Sequence, residues 1–84
     1  EDLITTGKGC LSGVEGARET GATVDHAVSI FTYEWALGWN ALAAANVTLH
    51  PLSRISVLLQ VALESGALSS SDVQVVQAWV AERA

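Results

Sequence analysis

Cys10, His26 and His50 are the side chains best suited to covalent or acid–base chemistry. A cysteine nucleophile needs an imidazole within hydrogen-bond reach and a third group to orient that imidazole. Only Lys8 stands near Cys10 as a group that would lower its pKa, and no oxyanion motif follows. A free structural thiol is the expectation. Asp25, His26, Glu34 and His50 are metal-ligand types, but two histidines on one helix face lie one turn apart, and these two fall far outside that spacing. No metal site and no cofactor is expected. Thr6-Gly7-Lys8-Gly9-Cys10 contains a Gly-Lys pair, yet Ser or Thr does not follow the lysine and no first glycine stands at the Walker distance. No strand is expected ahead of it either, so the stretch reads as a flexible arm. Asn46-Val47-Thr48 has the form of a glycosylation sequon, but reads first as a helix end and turn.

The aromatic residues suggest binding. On a helix, Trp35 and Trp39 fall one turn apart on one face, while Tyr33 points elsewhere. Core packing accounts for two of the three tryptophans, and an exposed third would be an interface anchor. Tyr33, Trp35 and Trp39 are therefore the candidate partner-binding residues.

The elements expected to position these residues are helical. Residues 1–22 carry Gly7, Gly9, Gly13, Gly16 and Gly21, a density that weakens helix, so they form an arm with at most one short helix, Cys10–Glu19, stopped at Gly21. A long central helix is expected over 23–47. Thr23 would cap it, Asp25 would favour its first turn, and Val24, Val28, Phe31, Trp35, Trp39 and Leu42 would form its apolar stripe. Pro51 suits the first position of a helix over 51–65, which ends before Gly66. Ser69 with Asp72 forms a capping box for a last helix over 69–83, with Leu68 against Val73 as a staple. The expected fold is all-α and a single domain over 1–84: a glycine-rich arm, a central helix and a C-terminal antiparallel hairpin.

Composition narrows the function classes. The chain has 84 residues, of which 50% are hydrophobic and 15% charged, against roughly 25% charged in soluble domains. From His26 to Leu63 the only charges are Glu34 and Arg54. A segment so poor in charge is buried against its own fold or against a partner, so a protein partner or a homo-oligomer is expected. The net charge of −5, with Lys8, Arg18, Arg54 and Arg83 scattered, excludes a nucleic-acid surface. Trp35–Ser53 is uncharged, but Asn40, Asn46, His50 and Pro51 interrupt it, so membrane insertion is not expected. There is no Met and the sequence opens Glu1-Asp2, which reads as a chain whose signal peptide has been removed, in the periplasm or secreted, with a domain cut from a longer protein as the alternative.

Cys10-Leu11-Ser12, Ala17-Arg18 and Glu34-Trp35-Ala36-Leu37-Gly38-Trp39, running on to Asn46, resemble a group of small periplasmic all-helical bacterial proteins. Type VI secretion immunity proteins, which block toxins delivered by neighbouring cells, share that style. The resemblance covers residues 6–46. The group's usual second cysteine has no counterpart here, so its disulfide does not carry over. The resemblance implies a small non-enzymatic exported protein that binds another protein, as an inhibitor or immunity protein. The alternatives are a helical carrier of an apolar ligand, a subunit of a larger assembly, and an enzyme using Cys10 or a histidine.

Overall fold

The stretch expected to begin the central helix is a β-strand. In the computed structural model, which describes residues 1–83, the elements run β1 (Leu3–Ile4), α1 (Lys8–Glu19), β2 (His26–Thr32), α2 (Ala36–Ala44), β3 (Thr48–Arg54), α3 (Ile55–Glu64) and α4 (Ser70–Arg83). The fold is therefore α/β rather than all-α, and the helix expected over 23–47 is replaced by β2, a turn and the short α2.

The physical reason lies in residue types. His26–Thr32 reads HAVSIFT, rich in β-branched and aromatic side chains that suit a pleated surface. Strands of a parallel sheet form near-continuous apolar runs, and a run of that kind has no period that separates it from a buried helix. Glu34 then adopts a left-handed backbone with φ of 59°, which no helix can pass through. Asn46, also at φ 59°, ends α2: its N–H bonds the Ala43 carbonyl while the Val47 N–H returns to that of Leu42.

The three strands are parallel in the order β1-β2-β3. Leu3 lies opposite Phe31, and His26 to Thr32 run beside Thr48 to Arg54. Pro51 sits in β3 instead of starting a helix. β3 pairs only with β2 within this sheet, and an edge strand tolerates a residue without an N–H donor. α3 thus begins at Ile55, with Arg54 in extended backbone ahead of it.

One face of the sheet is covered by both crossover helices. Ile4, Cys10, Val14, Leu42, Val47 and Leu49 are buried together there, with Ala27, Val24 and Trp39 packed around them. The other face is bare: Val28, Ile30 and Leu52 are 57%, 61% and 76% exposed, whereas Ser29 between the first two is fully buried. Parallel sheets are normally sheltered on both faces. A second small core, Ile55, Leu59 and Val73, joins α3 to α4 and takes in Phe31 and Tyr33. The shape is elongated, 49 × 23 × 15 Å with a radius of gyration of 15.0 Å, against about 12 Å for a compact domain of this length. Among the described residues no helix is long and apolar enough to cross a membrane.

Candidate functional site

In an open parallel sheet, ligands bind where the strands' carboxyl ends deliver their loops. Here β1 delivers Thr5, Thr6 and Gly7 directly onto the first turn of α1. Gly7 has φ of 84°, a conformation that favours glycine, and its carbonyl accepts the first helical bond from the Leu11 N–H at 2.9 Å. The N–H groups of Lys8, Gly9 and Cys10 therefore point out of the helix start without intrahelical partners, at the positive end of its dipole. Thr6 and Lys8 are exposed beside them. This is an anion-binding geometry made of backbone donors, two threonine hydroxyls and one ammonium.

What fixes the loop is a close approach to α2. A Cβ added to Gly38 would stand 2.6 Å from the Thr5 carbonyl oxygen and 3.4 Å from Ile4 Cγ2. A Cβ on Gly7 would in turn meet the Gly38 oxygen at 3.4 Å and Leu42 Cγ at 3.8 Å. The loop thus rests on a helix that has no side chain at that point. Ile4 and Leu42, 2% and 1% exposed, anchor it from either side.

Two acidic residues, Glu1 and Asp2, lead into β1. Glu1 and Asp2 are exposed, and their carbonyls accept N–H bonds from Ile30 and Phe31, which extends the β1–β2 ladder. Glu1 Oε1 lies over the first turn of α1, 3.4 Å from where a Gly9 Cβ would be. The Glu1 carboxylate accepts hydrogen bonds only, so it suits a neutral hydroxyl-bearing part of a ligand whose anionic part sits on the helix start.

The loop after β2 builds a second feature. Thr32 Oγ1 accepts the Glu34 N–H at 3.1 Å, and the Glu34 carboxylate accepts the Ser56 N–H at 3.0 Å and faces Arg54 Nη1 at 3.9 Å. Tyr33, Glu34 and Trp35, with Ile55, Leu59 and Val80 of the hairpin, line a groove of about 290 Å³.

Of the three candidate aromatics, Tyr33 and Trp35 meet each other, and Trp39 lies elsewhere. Tyr33 and Trp35 stack at 4.9 Å, and the Trp35 indole N–H donates to the Val80 carbonyl at 3.0 Å. Trp39 packs against the first core, with the Arg54 guanidinium 5.6 Å from its ring centre. Trp35 caps α2 in extended backbone, its carbonyl accepting the Trp39 N–H at 3.3 Å, while its ring turns to Tyr33 and Val80 and that of Trp39 to the first core. The most exposed tryptophan is Trp79, at 40%, beside Tyr33, Trp35 and Arg83.

Cys10 is buried, and that burial raises its thiol pKa, with the Glu1 charge acting in the same direction. Such a thiol is a poor nucleophile at neutral pH. His26 and His50 bond each other. Among the described residues no three ligand-type side chains converge on a metal position. Sequence reasoning weighs Thr6-Gly7-Lys8-Gly9-Cys10 as a phosphate loop and sets it aside as a flexible arm, because the Walker pattern is absent and no strand is expected ahead of it; β1 supplies that strand. The loop's signal was Ile4, Thr5 and Thr6, all β-branched, running into Gly7 at the start of a helix.

No family model matches the chain. It is 47% identical over 79 residues to an orotate phosphoribosyltransferase of Bacillus cytotoxicus, a match that takes in 94% of this chain and 38% of that protein. Proteins of the same name from Bacillus cereus and Bacillus mycoides are 44% identical over the same span. The chain therefore spans about two fifths of the length of the curated relatives it matches. These similarities overturn the likeness to type VI immunity proteins. They likewise overturn the reading of a non-enzymatic inhibitor: the relatives are enzymes, and the charge-poor middle of the chain forms β2, α2, β3 and α3 of an α/β fold instead of one central helix.

Proposed function

We propose that this chain supplies the phosphate-holding part of a phosphoribosyltransferase acting on orotate. The observation that carries the reading is the β1–Thr5-Thr6-Gly7–α1 loop, seated on Gly38 at the carboxyl edge of the sheet. The phosphate of a phosphoribosyl donor sits on the free N–H groups of the α1 start, with the Thr5 and Thr6 hydroxyls and Lys8 around it. Glu1 and Asp2 accept hydrogen bonds from the ribose hydroxyls. They also stand where positive charge gathers on the sugar ring as the bond at its anomeric carbon breaks, and a carboxylate stabilises such charge. The identity to proteins named for this reaction supports the assignment.

Val28, Ile30 and Leu52 on the bare sheet face, and Val57 and Val61 on the hairpin, leave apolar surface for further protein. A subunit or segment packed there is the partner this reading calls for.

Ribose 5-phosphate, titrated calorimetrically against the chain, tests the loop assignment. It binds, ribose alone does not, and Thr6→Val weakens binding by about 10- to 100-fold, the size of one hydrogen bond to a charged group. Equal affinity in the parent and Thr6→Val would remove the site. In a polypeptide of the relatives' full length carrying this chain, orotate is consumed in the presence of a phosphoribosyl donor, and the loss of its ultraviolet absorbance reads that step.

A further inference from the structure

The sheet carries a second cluster away from the carboxyl-edge loops, on residues the proposed reaction does not use. His26 is the first residue of β2 and lies opposite Thr48, while His50 lies opposite Val28. By strand alternation His26 and Val28 share a face of β2, so the two histidines are diagonal neighbours on one face of the sheet. Both are exposed, and on that same face Val28 and Ile30 are uncovered. His26 Nδ1 and His50 Nε2 approach to 3.0 Å, with ring centroids 5.2 Å apart and planes tilted by 38°.

From this we infer that His26 and His50 form a two-histidine site for a divalent transition-metal ion of the zinc, nickel and copper class. Zinc–imidazole bonds are about 2.0–2.1 Å, so two nitrogens at right-angled to tetrahedral positions on one ion stand about 2.9–3.4 Å apart. The observed separation falls inside that interval, so the two ring nitrogens need little movement to share one ion. Imidazole is the ligand type that this class of ions prefers, whereas magnesium and calcium prefer oxygen. The open sheet face leaves the other coordination positions to water or to a ligand from a partner. The ion ties β2 to β3 near their amino ends, across the sheet from the loop at Thr5–Gly7, and so acts on stability and not on the phosphate site.

The chain contains no other histidine, and its single cysteine is buried, so the assignment is separable from other soft ligands. Metal-free protein is titrated with zinc chloride by calorimetry and melted with and without zinc, alongside His26→Gln and His50→Gln. The expected result is one zinc ion per chain, a raised Tm with zinc but not with magnesium, and loss of both effects in each single variant. Circular dichroism of the variants verifies that they fold, and two exposed side chains are replaceable without disturbing the core. Zinc binding that survives either substitution in a folded variant would overturn the site, as would a chain that takes up magnesium equally well. Binding of ribose 5-phosphate is unchanged in both variants, which separates this outcome from failure of the functional reading.

Discussion

The sheet body and the C-terminal hairpin are held together in different ways. In the body, Ile4, Cys10, Val14, Leu42, Val47 and Leu49 come from strands, loop and both crossover helices and bury one another. In the hairpin only Ile55, Leu59 and Val73 are buried, while Val57, Leu58, Val61, Leu63 and Val75 lie exposed on the same two helices. Few buried apolar contacts and much solvent-facing helix define a segment that opens at low cost. The candidate phosphate loop belongs to the body. A site that must hold backbone donors in place is built where packing is densest, and the hairpin adds only the wall of a groove.

Leucine truncations on the two sides measure that difference most directly. Leu42 is 1% exposed and touches the loop's platform, so Leu42→Ala costs about 3–5 kcal/mol of stability. Leu59, 6% exposed in a smaller cluster that can collapse around the gap, costs about 2–3 kcal/mol when truncated to alanine. Urea unfolding with amide hydrogen exchange reads both. The hairpin variant should also lose protection in α3 and α4 while the amides of β2 stay protected. A Leu59→Ala cost equal to that of Leu42→Ala would erase the distinction between the two regions.

Gly38→Ala asks whether the body's rigidity serves the loop. The new Cβ would meet the Thr5 carbonyl oxygen at 2.6 Å, so either α2 or the loop must move. Overpacking of this kind costs about 1–3 kcal/mol, offset in part by about 1 kcal/mol of helix propensity gained over glycine. The stability change is therefore modest, but the loss of ribose 5-phosphate binding is large, because the displaced atoms are those that aim the α1 donors. Should binding persist with unchanged affinity, α2 is not the platform of the loop.

The same contrast governs what could be read from the sequence. Gly21 and Gly66, both with positive φ after a helix, and the Ser69–Asp72 box are legible because each partner lies within a turn or two of the other. These are local signals, and they concentrate at helix ends. The all-α expectation failed in the body, where the deciding interactions are non-local. Val28, Phe31 and Trp35 keep a helical spacing, yet β2 exists because Leu3 and Ser53 flank Phe31 on either side, and no local pattern reports that. Gly38 looks like a small residue in an alanine-rich helix, and its role appears only once Thr5 lies across it. The continuous helix expected through Phe31 and Trp35 is broken by the turn at Glu34, whose left-handed backbone no residue type in the stretch announces.

The smallest effect belongs to the hairpin's own start. The Ser69 hydroxyl accepts the Asp72 N–H at 3.2 Å, and the Asp72 carboxylate accepts the Ser69 N–H at 3.1 Å. Ser69→Ala removes one arm of this box at a cost of about 1 kcal/mol, confined to α4. The backbone N–H of Ser69 holds the Asp72 carboxyl below its usual range, with its hydroxyl acting in the same direction. A carboxyl depressed in the folded state contributes stability above its unfolded pKa and loses it as pH falls through the folded value. The fraying of α4, followed by amide exchange, therefore increases on acidification in the parent chain. In Asp72→Asn that acid-dependent part is absent. If acidification instead loosened α1 and α2 before α4, the body would be the more weakly held region, and the order of the two cores would be reversed.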